Sequence, residues 1–220
     1  MDKKQNANDK DMNANAAAQP SACERSGRTL LEGERVRLRS VMPADYRELY
    51  DLIHSEKDRT WTEWDAPYFK DEEEEETFEE FAQGYESLRA RNLPWEPRLL
   101  IETIEGRMLG TVNSYWEHKP SNWLECGIVL LRSDTWSRGC GTEALRLYVG
   151  YLFASLDVPR VGITTWSGNE RMMRAAARIG MRLEGRVRRC RIVRGELYDS
   201  IRMGVLREEW EDLYGPSGRA

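Results

Sequence analysis

Trp136-Ser137-Arg138-Gly139-Cys140-Gly141-Thr142-Glu143-Ala144 joins a strand-like run to a long apolar segment through two glycines one residue apart. Glycine reaches positive φ without a Cβ penalty and lets another molecule come close to the main chain. The first N–H groups of a helix have no carbonyl partners, and the positive end of the helix dipole lies among them. The stretch therefore reads as a grip for phosphate or pyrophosphate oxygens. Its spacing Gly139-x-Gly141-x-x-Ala144 also matches the dinucleotide fingerprint superficially, with Asp157 at roughly the distance of that fold's ribose acid. The fingerprint needs its glycines directly after the first strand of a repeating βαβ sheet. Here Asp134 to Ser137 intervene, and the preceding pattern is of another kind.

Upstream, Arg98 to Ile104 and Arg107 to Trp116 are apolar-rich runs joined by Glu105-Gly106, a hairpin signal, and Trp123 to Leu130 makes a third strand. The glycines thus follow an antiparallel meander. Downstream, Thr142 to Leu156 predicts a helix apolar on most faces through Leu145, Leu147, Tyr148, Val149, Leu152 and Phe153, hence buried on a sheet. Arg160 to Trp166 is a strand, and Ser167-Gly168-Asn169-Glu170 offers a Ser-x-x-Glu capping box or an Asn cap to the next helix. That helix buries Met172, Ala175, Ala176 and Ile179, exposes Arg171, Arg174 and Arg178, and stops at Gly180. Leu183 to Val193 and Leu197 to Leu206 then alternate around an Arg194-Gly195 turn.

Toward the N-terminus, Arg35 to Arg39 alternates as a strand, and Pro43 opens a helix with Tyr46, Leu49, Tyr50 and Ile53 on one stripe. The aromatic run Trp61 to Phe69 reads as a loop wall. A second helix is predicted from Asp71 through Phe78, Phe81 and Tyr85 toward Arg91; the glutamates Glu72 to Glu76 fit a solvated helix start or an acidic rim that draws in a cation. The order is β, two helices, three strands, helix, strand, helix, two strands. This is an α+β class, mostly antiparallel, with one local parallel crossover.

A chain of 220 residues, 40% hydrophobic, supports one substantial core. Residues 1–28 lack hydrophobic periodicity and predict a disordered tail, leaving one domain over 29–210 and a flexible C-terminal tail over 211–220. The net charge of −5 argues against broad nucleic-acid binding and suits an amine or a basic peptide. Cys23, Cys126, Cys140 and Cys190 form no CxxC pair, so neither a metal site nor a disulfide framework is signalled. With no apolar run of membrane-spanning length and no secretory signal, a soluble cytoplasmic protein without membrane partners is expected.

Trp136-x-x-Gly139-x-Gly141 followed by Thr142-Glu143-Ala144-Leu145 resembles the acetyl-CoA signature of the GCN5-related N-acetyltransferases (GNAT), Gln or Arg-x-x-Gly-x-Gly or Ala. It is most similar to the branch of ribosomal-protein alanine acetyltransferases, where an aromatic commonly takes the first position. Leu124-Glu125-Cys126-Gly127-Ile128 resembles the family's fourth strand, Asn169 with Gly180-Met181 its Asn-to-Gly-Phe helix, and Leu183-Glu184-Gly185 the turn that follows. Tyr198-Asp199-Ser200 into Val205-Leu206-Arg207-Glu208-Glu209-Trp210 resembles its closing strand, so the likeness spans about Thr29 to Trp210.

The resemblance implies a GNAT fold of about seven strands, splayed between the fourth and fifth, with about four helices. It implies acetyl-CoA as cosubstrate and no metal. The pyrophosphate would meet the N–H groups of Arg138, Gly139, Cys140, Gly141, Thr142 and Glu143; the pantetheine arm would pair with Gly127, Ile128, Val129 and Leu130; and Asn169, with Met172 near the sulfur, would hold the arm. Glu125 is the candidate base and Tyr198 the candidate acid for direct attack by a primary amine in a ternary complex. Trp61, Trp64, Tyr68 and Phe69 would shape the acceptor site. Three positions depart from the family: Ala176 stands where many relatives carry a tyrosine, and Met172 and Arg191 where the ribosomal-protein enzymes carry serine and glutamate. The departures at Met172 and Arg191 favour a small-molecule amine over a protein N-terminus. A non-catalytic acyl-CoA-binding module is the alternative, and a homodimer is left open. His54 and His118 lie apart from any nucleophile, and Cys140 is read as a filler of the loop.

Overall fold

The computed structural model describes residues 29–54, 57–69, 76–91 and 93–216. Side chains along a strand alternate between its two faces, and β3 (Arg98–Thr103) is buried on both: Leu99 and Ile101 turn to one face, Leu100 to the other, all without exposure. Its neighbours complete an eight-stranded sheet in the order β1-β2-β3-β4-β5-β6-β8-β7, from β1 (Thr29–Glu32), β2 (Val36–Ser40), β4 (Met108–His118), β5 (Trp123–Leu130), β6 (Arg160–Trp166), β7 (Arg182–Val193) and β8 (Glu196–Leu206). Every pairing is antiparallel except β5 with β6.

One face carries α3 (Cys140–Ser155) and α4 (Glu170–Arg178), whose Leu145, Tyr148, Leu152 and Ala176 pack with Leu38, Val112, Leu124 and Ile163 of the sheet. The other face carries α1 (Tyr46–His54) and α2 (Phe78–Arg89), which close over Leu100, Met108 and Leu131 with Leu49, Phe81 and Tyr85. On this second face the buried Arg39 forks onto Asp45 at 2.7 and 2.8 Å and onto Glu102 at 2.8 Å, fixing the entry to α1.

Turn chemistry explains the boundaries. Arg194 (φ 51) and Gly195 (φ 80) both take positive φ, the type I′ pattern that joins β7 to β8. Asn169 caps α4 through its side chain, so the Asn reading holds over the Ser167 box. At the other end Gly180 (φ 96) donates to Ala177 O and Met181 to Ala176 O, a Schellman stop.

Three expectations change. The short β1 adds an eighth strand, visible only as the partner of β2. The closing strand ends at Leu206, and Arg207–Tyr214 forms a fifth helix, α5, because Glu209 reaches back to Leu206 N at 3.1 Å and Trp210 packs under α3 against Phe153 and Gly150. Residues 211–214 are therefore helix and not tail. The helix predicted from Asp71 begins at Phe78, after a Thr77–Glu80 capping box that leaves Glu76 outside it; the rest of the acidic run lies outside the described residues, as do residues 1–28 and 217–220. No helix among the described residues is long and apolar enough to cross a membrane.

Candidate active site

Strands β5 and β6 pair only at Leu124–Val161 and Glu125–Gly162. Beyond this point β5 keeps its antiparallel pairing to β4, Gly127 opposite Asn113 and Leu130 opposite Gly110, while β6 continues beside β8. A wedge opens between them toward the start of α3. The inner edge of residues 127–130 is left without a strand partner among the described residues, a row of N–H and C=O groups that an amide-bearing chain can join as a strand would.

The glycine loop closes the top of the wedge. Ser137 (φ 62) and Gly139 (φ 87) turn the chain left-handed, and the Trp136 indole donates to Leu130 O at 3.0 Å, holding the loop to the end of β5. Gly141 lies flat on that strand: a Cβ there would stand 3.2 Å from Leu130 Cδ1. Glu143 has a different task from the one expected. Its N–H donates to Gly139 O at 3.0 Å, and its buried carboxylate accepts from Glu34 N at 2.8 Å and Arg35 N at 2.9 Å. The outward N–H groups therefore run from Arg138 to Thr142. The same clamp brings Arg35 of the β1–β2 turn beside Gly139, its Nε 3.6 Å from where a Cβ would be. The exposed Arg138 adds a second guanidinium. Burial pushes the Cys140 thiol up from its ordinary pKa, which keeps it protonated and a poor nucleophile.

Asn169 has both ends of its amide engaged. Its Oδ1 accepts from Met172 N at 3.1 Å, and its Nδ2 donates to Trp64 O at 3.1 Å, an oxygen that also accepts from Trp166 Nε1 at 3.3 Å. Met172 presents its side chain to the core beneath. The aromatic loop is thus drawn onto the start of α4, and its residues separate. Trp61 packs on the α1–α2 cluster, Trp64 faces α4, and Tyr68 lies under the Arg191 guanidinium at 4.5 Å. Phe69 ends the short turn Pro67–Phe69, and its side chain lies outside the described set. Burial raises the Tyr68 pKa.

Glu125 stands at the vertex of the wedge with no exposure, on the face away from α3. It accepts from Trp123 Nε1 at 2.9 Å, Arg160 Nη1 at 3.2 Å and Thr164 Oγ1 at 3.0 Å, with Arg202 Nη1 at 3.9 Å. The neighbouring Tyr115 is pushed up to about 12 by burial and by Glu125. Tyr198 is on β8, edge-on to Trp166 at 4.7 Å, and donates to Glu196 at 3.0 Å, which raises its pKa. Trp64, Trp166 and Tyr198 wall a cavity of about 380 Å³ whose rim carries Glu63, Arg194 and Glu196. Ala176 is fully buried and sends nothing into the cleft. No group of three His, Cys, Asp or Glu among the described residues could hold a metal ion.

Arg35, Arg171, Trp166 and Glu196 escaped sequence reasoning because each arrives at the site by pairing or packing between distant segments. Only the aromatic Trp166 carried a signal, as the end of a predicted strand.

The profile of the acetyltransferase (GNAT) domain matches residues 35–182. A curated Bacillus subtilis (strain 168) protein, named provisionally as the ribosomal N-acetyltransferase YdaF, is 26% identical over 181 residues, 81% of this chain and 94% of that one. Among solved structures, a Vibrio cholerae spermidine N-acetyltransferase in complex with CoA and spermine superposes with a TM-score of 0.66 at 18% identity, covering 81% of this chain and 99% of that one. Mycobacterium smegmatis RimJ in complex with CoA-disulfide gives 0.64 at 20% identity, over 79% and 83% of the two chains. The splayed sheet, the glycine loop on α3 and the match over residues 35–182 together place this chain in the GNAT family of N-acetyltransferases.

Proposed function

We propose that this chain transfers an acetyl group from acetyl-CoA to a small primary amine by direct attack. The observation that carries the reading is the inner edge of β5, without a strand partner among the described residues, lying under a left-handed glycine loop, so that one site offers strand-type hydrogen bonds to an amide-bearing arm and helix-start N–H groups to phosphates. Arg138 to Thr142 would hold the pyrophosphate through their N–H groups, with Arg35 and Arg138 adding charge. Residues Gly127 to Leu130 would bind the pantetheine arm, and a β5 N–H near Ile128 or Val129 would face the developing oxyanion. The Asn169 amide, held between Met172 N and the Trp64 carbonyl, would stand beside the arm, while Met172 lines the floor.

The acceptor would come through the cavity walled by Trp64, Trp166 and Tyr198, whose aromatic faces suit a cation and whose rim carries Glu63 and Glu196, with Arg194 paired to Glu63. Trp61 and Tyr68 brace that wall. Glu125, fully buried and accepting from Arg160, Trp123 and Thr164, would stand at the end of the proton path from the attacking amine. Tyr198, committed to Glu196, serves as wall. The thiolate then leaves without a dedicated acid, since a thiol is already fairly acidic.

The test is release of free thiol from acetyl-CoA with a panel of polyamines, aminoglycosides, amino acids and peptide N-termini. Turnover with a small amine is expected, with log(kcat/KM) rising at unit slope up to the amine's own pKa. Turnover confined to peptide N-termini would overturn the acceptor class, and no thiol release with any amine would overturn the reaction.

A further inference from the structure

Arg171 is the second residue of α4, and its guanidinium lies between two indoles, 4.6 Å from the Trp136 ring and 4.9 Å from the Trp64 ring. Trp136 is the first residue of the glycine motif and is fixed to β5 through Leu130 O. Trp64 belongs to the aromatic loop, more than 70 positions earlier in the chain. One side chain therefore touches the phosphate grip and the acceptor wall at once.

The aromatic loop contains the short turns Thr60–Glu63 and Pro67–Phe69. Trp61 packs on the α1–α2 cluster, and among the contacts that reach the other side of the site are the Trp64 carbonyl on Asn169 and Trp166, the exposed ion pair of Glu63 with Arg194 at 3.3 Å, and the stacking of Tyr68 and Trp64 on arginines. The Trp64 indole N–H is buried with no hydrogen-bond partner among the described residues, and its ring stacks on Arg171. The neighbouring Glu170 is engaged by Arg174 at 2.8 Å, so it does not neutralise Arg171.

We propose that Arg171 is a positioning residue that couples the two sides of the site: an anion on the glycine loop fixes the guanidinium, and the fixed guanidinium holds Trp64 and with it the acceptor wall. The physical step is entropic. An exposed arginine samples many rotamers, and each contact that removes them makes the next cheaper. A phosphate beside Trp136 supplies a counter-charge that keeps the guanidinium in the place where Trp64 stacks on it. Acetyl-CoA binding then orders the loop that receives the amine. This rests on the acetyl-CoA reading of the glycine loop.

Hydrogen exchange followed by mass spectrometry tests it on the full chain with CoA as the probe and without any acceptor. In the parent protein CoA should slow exchange in peptides covering 136–145 and also, by about threefold to thirtyfold, in peptides covering 60–69, the range expected from a cation–π contact. In Arg171→Ala, CoA should still slow 136–145 and no longer slow 60–69. Arg171→Lys, which keeps the charge and loses the planar stack, should recover only part of the effect. Protection of both segments in Arg171→Ala would overturn the coupling alone. If CoA leaves 136–145 unprotected in the parent protein, the donor reading falls and the coupling with it. Arg171 is exposed, so the variants are expected to keep the parent's far-ultraviolet spectrum and melting temperature within a few degrees.

Discussion

The proposed donor and acceptor halves of this site are built on opposite principles. On the donor side the working groups are main chain: the free edge of β5, the N–H groups of Arg138 to Thr142, and two glycines that keep side chains out of the way. On the acceptor side they are side chains, Trp64, Tyr68, Trp166, Tyr198, Glu63 and Glu196, drawn from the aromatic loop, β6 and β8 and held by guanidinium stacking and exposed ion pairs. A main-chain site fails when the backbone is moved or covered and is indifferent to most side chains. A side-chain site fails by degrees, and its specificity can be rewritten one residue at a time.

The sharpest way to break the donor half is through its support. A Cβ on Gly110 would stand 1.9 Å from Val129 O, so Gly110→Ala must force β4 and β5 apart under the wedge. A loss of about 3 kcal/mol or more is expected in urea unfolding. Next comes Gly141→Val, whose added methyls meet Leu130 Cδ1, already 3.2 Å from a bare Cβ. Calorimetry should show acetyl-CoA affinity falling about 100-fold, ~2.7 kcal/mol, with little change in unfolding.

The acceptor half should respond less and differently. Trp64→Ala is expected to raise KM for the best amine about tenfold, as a lost aromatic contact would, with a smaller loss of acetyl-CoA affinity. Equal losses on both sides would erase the distinction between the halves. Smaller still are the hydroxyl and thiol that the reading leaves out of the chemistry: Tyr198→Phe and Cys140→Ala should each keep kcat within about twofold, near the background of neutral substitutions.

The smallest effect concerns the β7–β8 edge. Asp199 accepts from Arg189 N at 2.8 Å and pairs with Arg186, which holds its carboxyl below the usual value. A depressed folded-state pKa means a contribution complete above the ordinary carboxylate pKa near ~4 and lost as pH falls through the lower folded value. Melting curves across that acid range should lose part of their pH dependence in Asp199→Asn.

The donor half was legible because its signals are local. Gly139 and Gly141 encode a backbone shape, Trp123 to Leu130 encodes a strand, and Asn169 with Gly180 encodes the two ends of one helix; each reading needs only a dozen neighbouring residues. The acceptor half was legible only as an aromatic loop. That Trp61 turns to the α1–α2 cluster while Trp64 turns to α4 depends on packing between separate segments, in the case of Trp64 and Asn169 more than 100 positions apart. Glu143 shows the same limit: its place on the first turn of α3 was readable, yet its carboxylate serves the β1–β2 turn, because β1 becomes a strand only when β2 is beside it.

By itself, then, the amino-acid order determined most of the element sequence, the glycine loop at the start of α3 and the GNAT architecture, since periodicity, caps and glycine φ preferences act over a few residues at a time. Tertiary structure alone decided which side chains meet: Glu125 enclosed by Trp123, Arg160 and Thr164, Arg35 brought to Gly139, and Arg171 stacked between Trp136 and Trp64. Such meetings follow from strand register and layer packing, which place residues far apart in the chain within a few ångströms and leave no periodic trace along it.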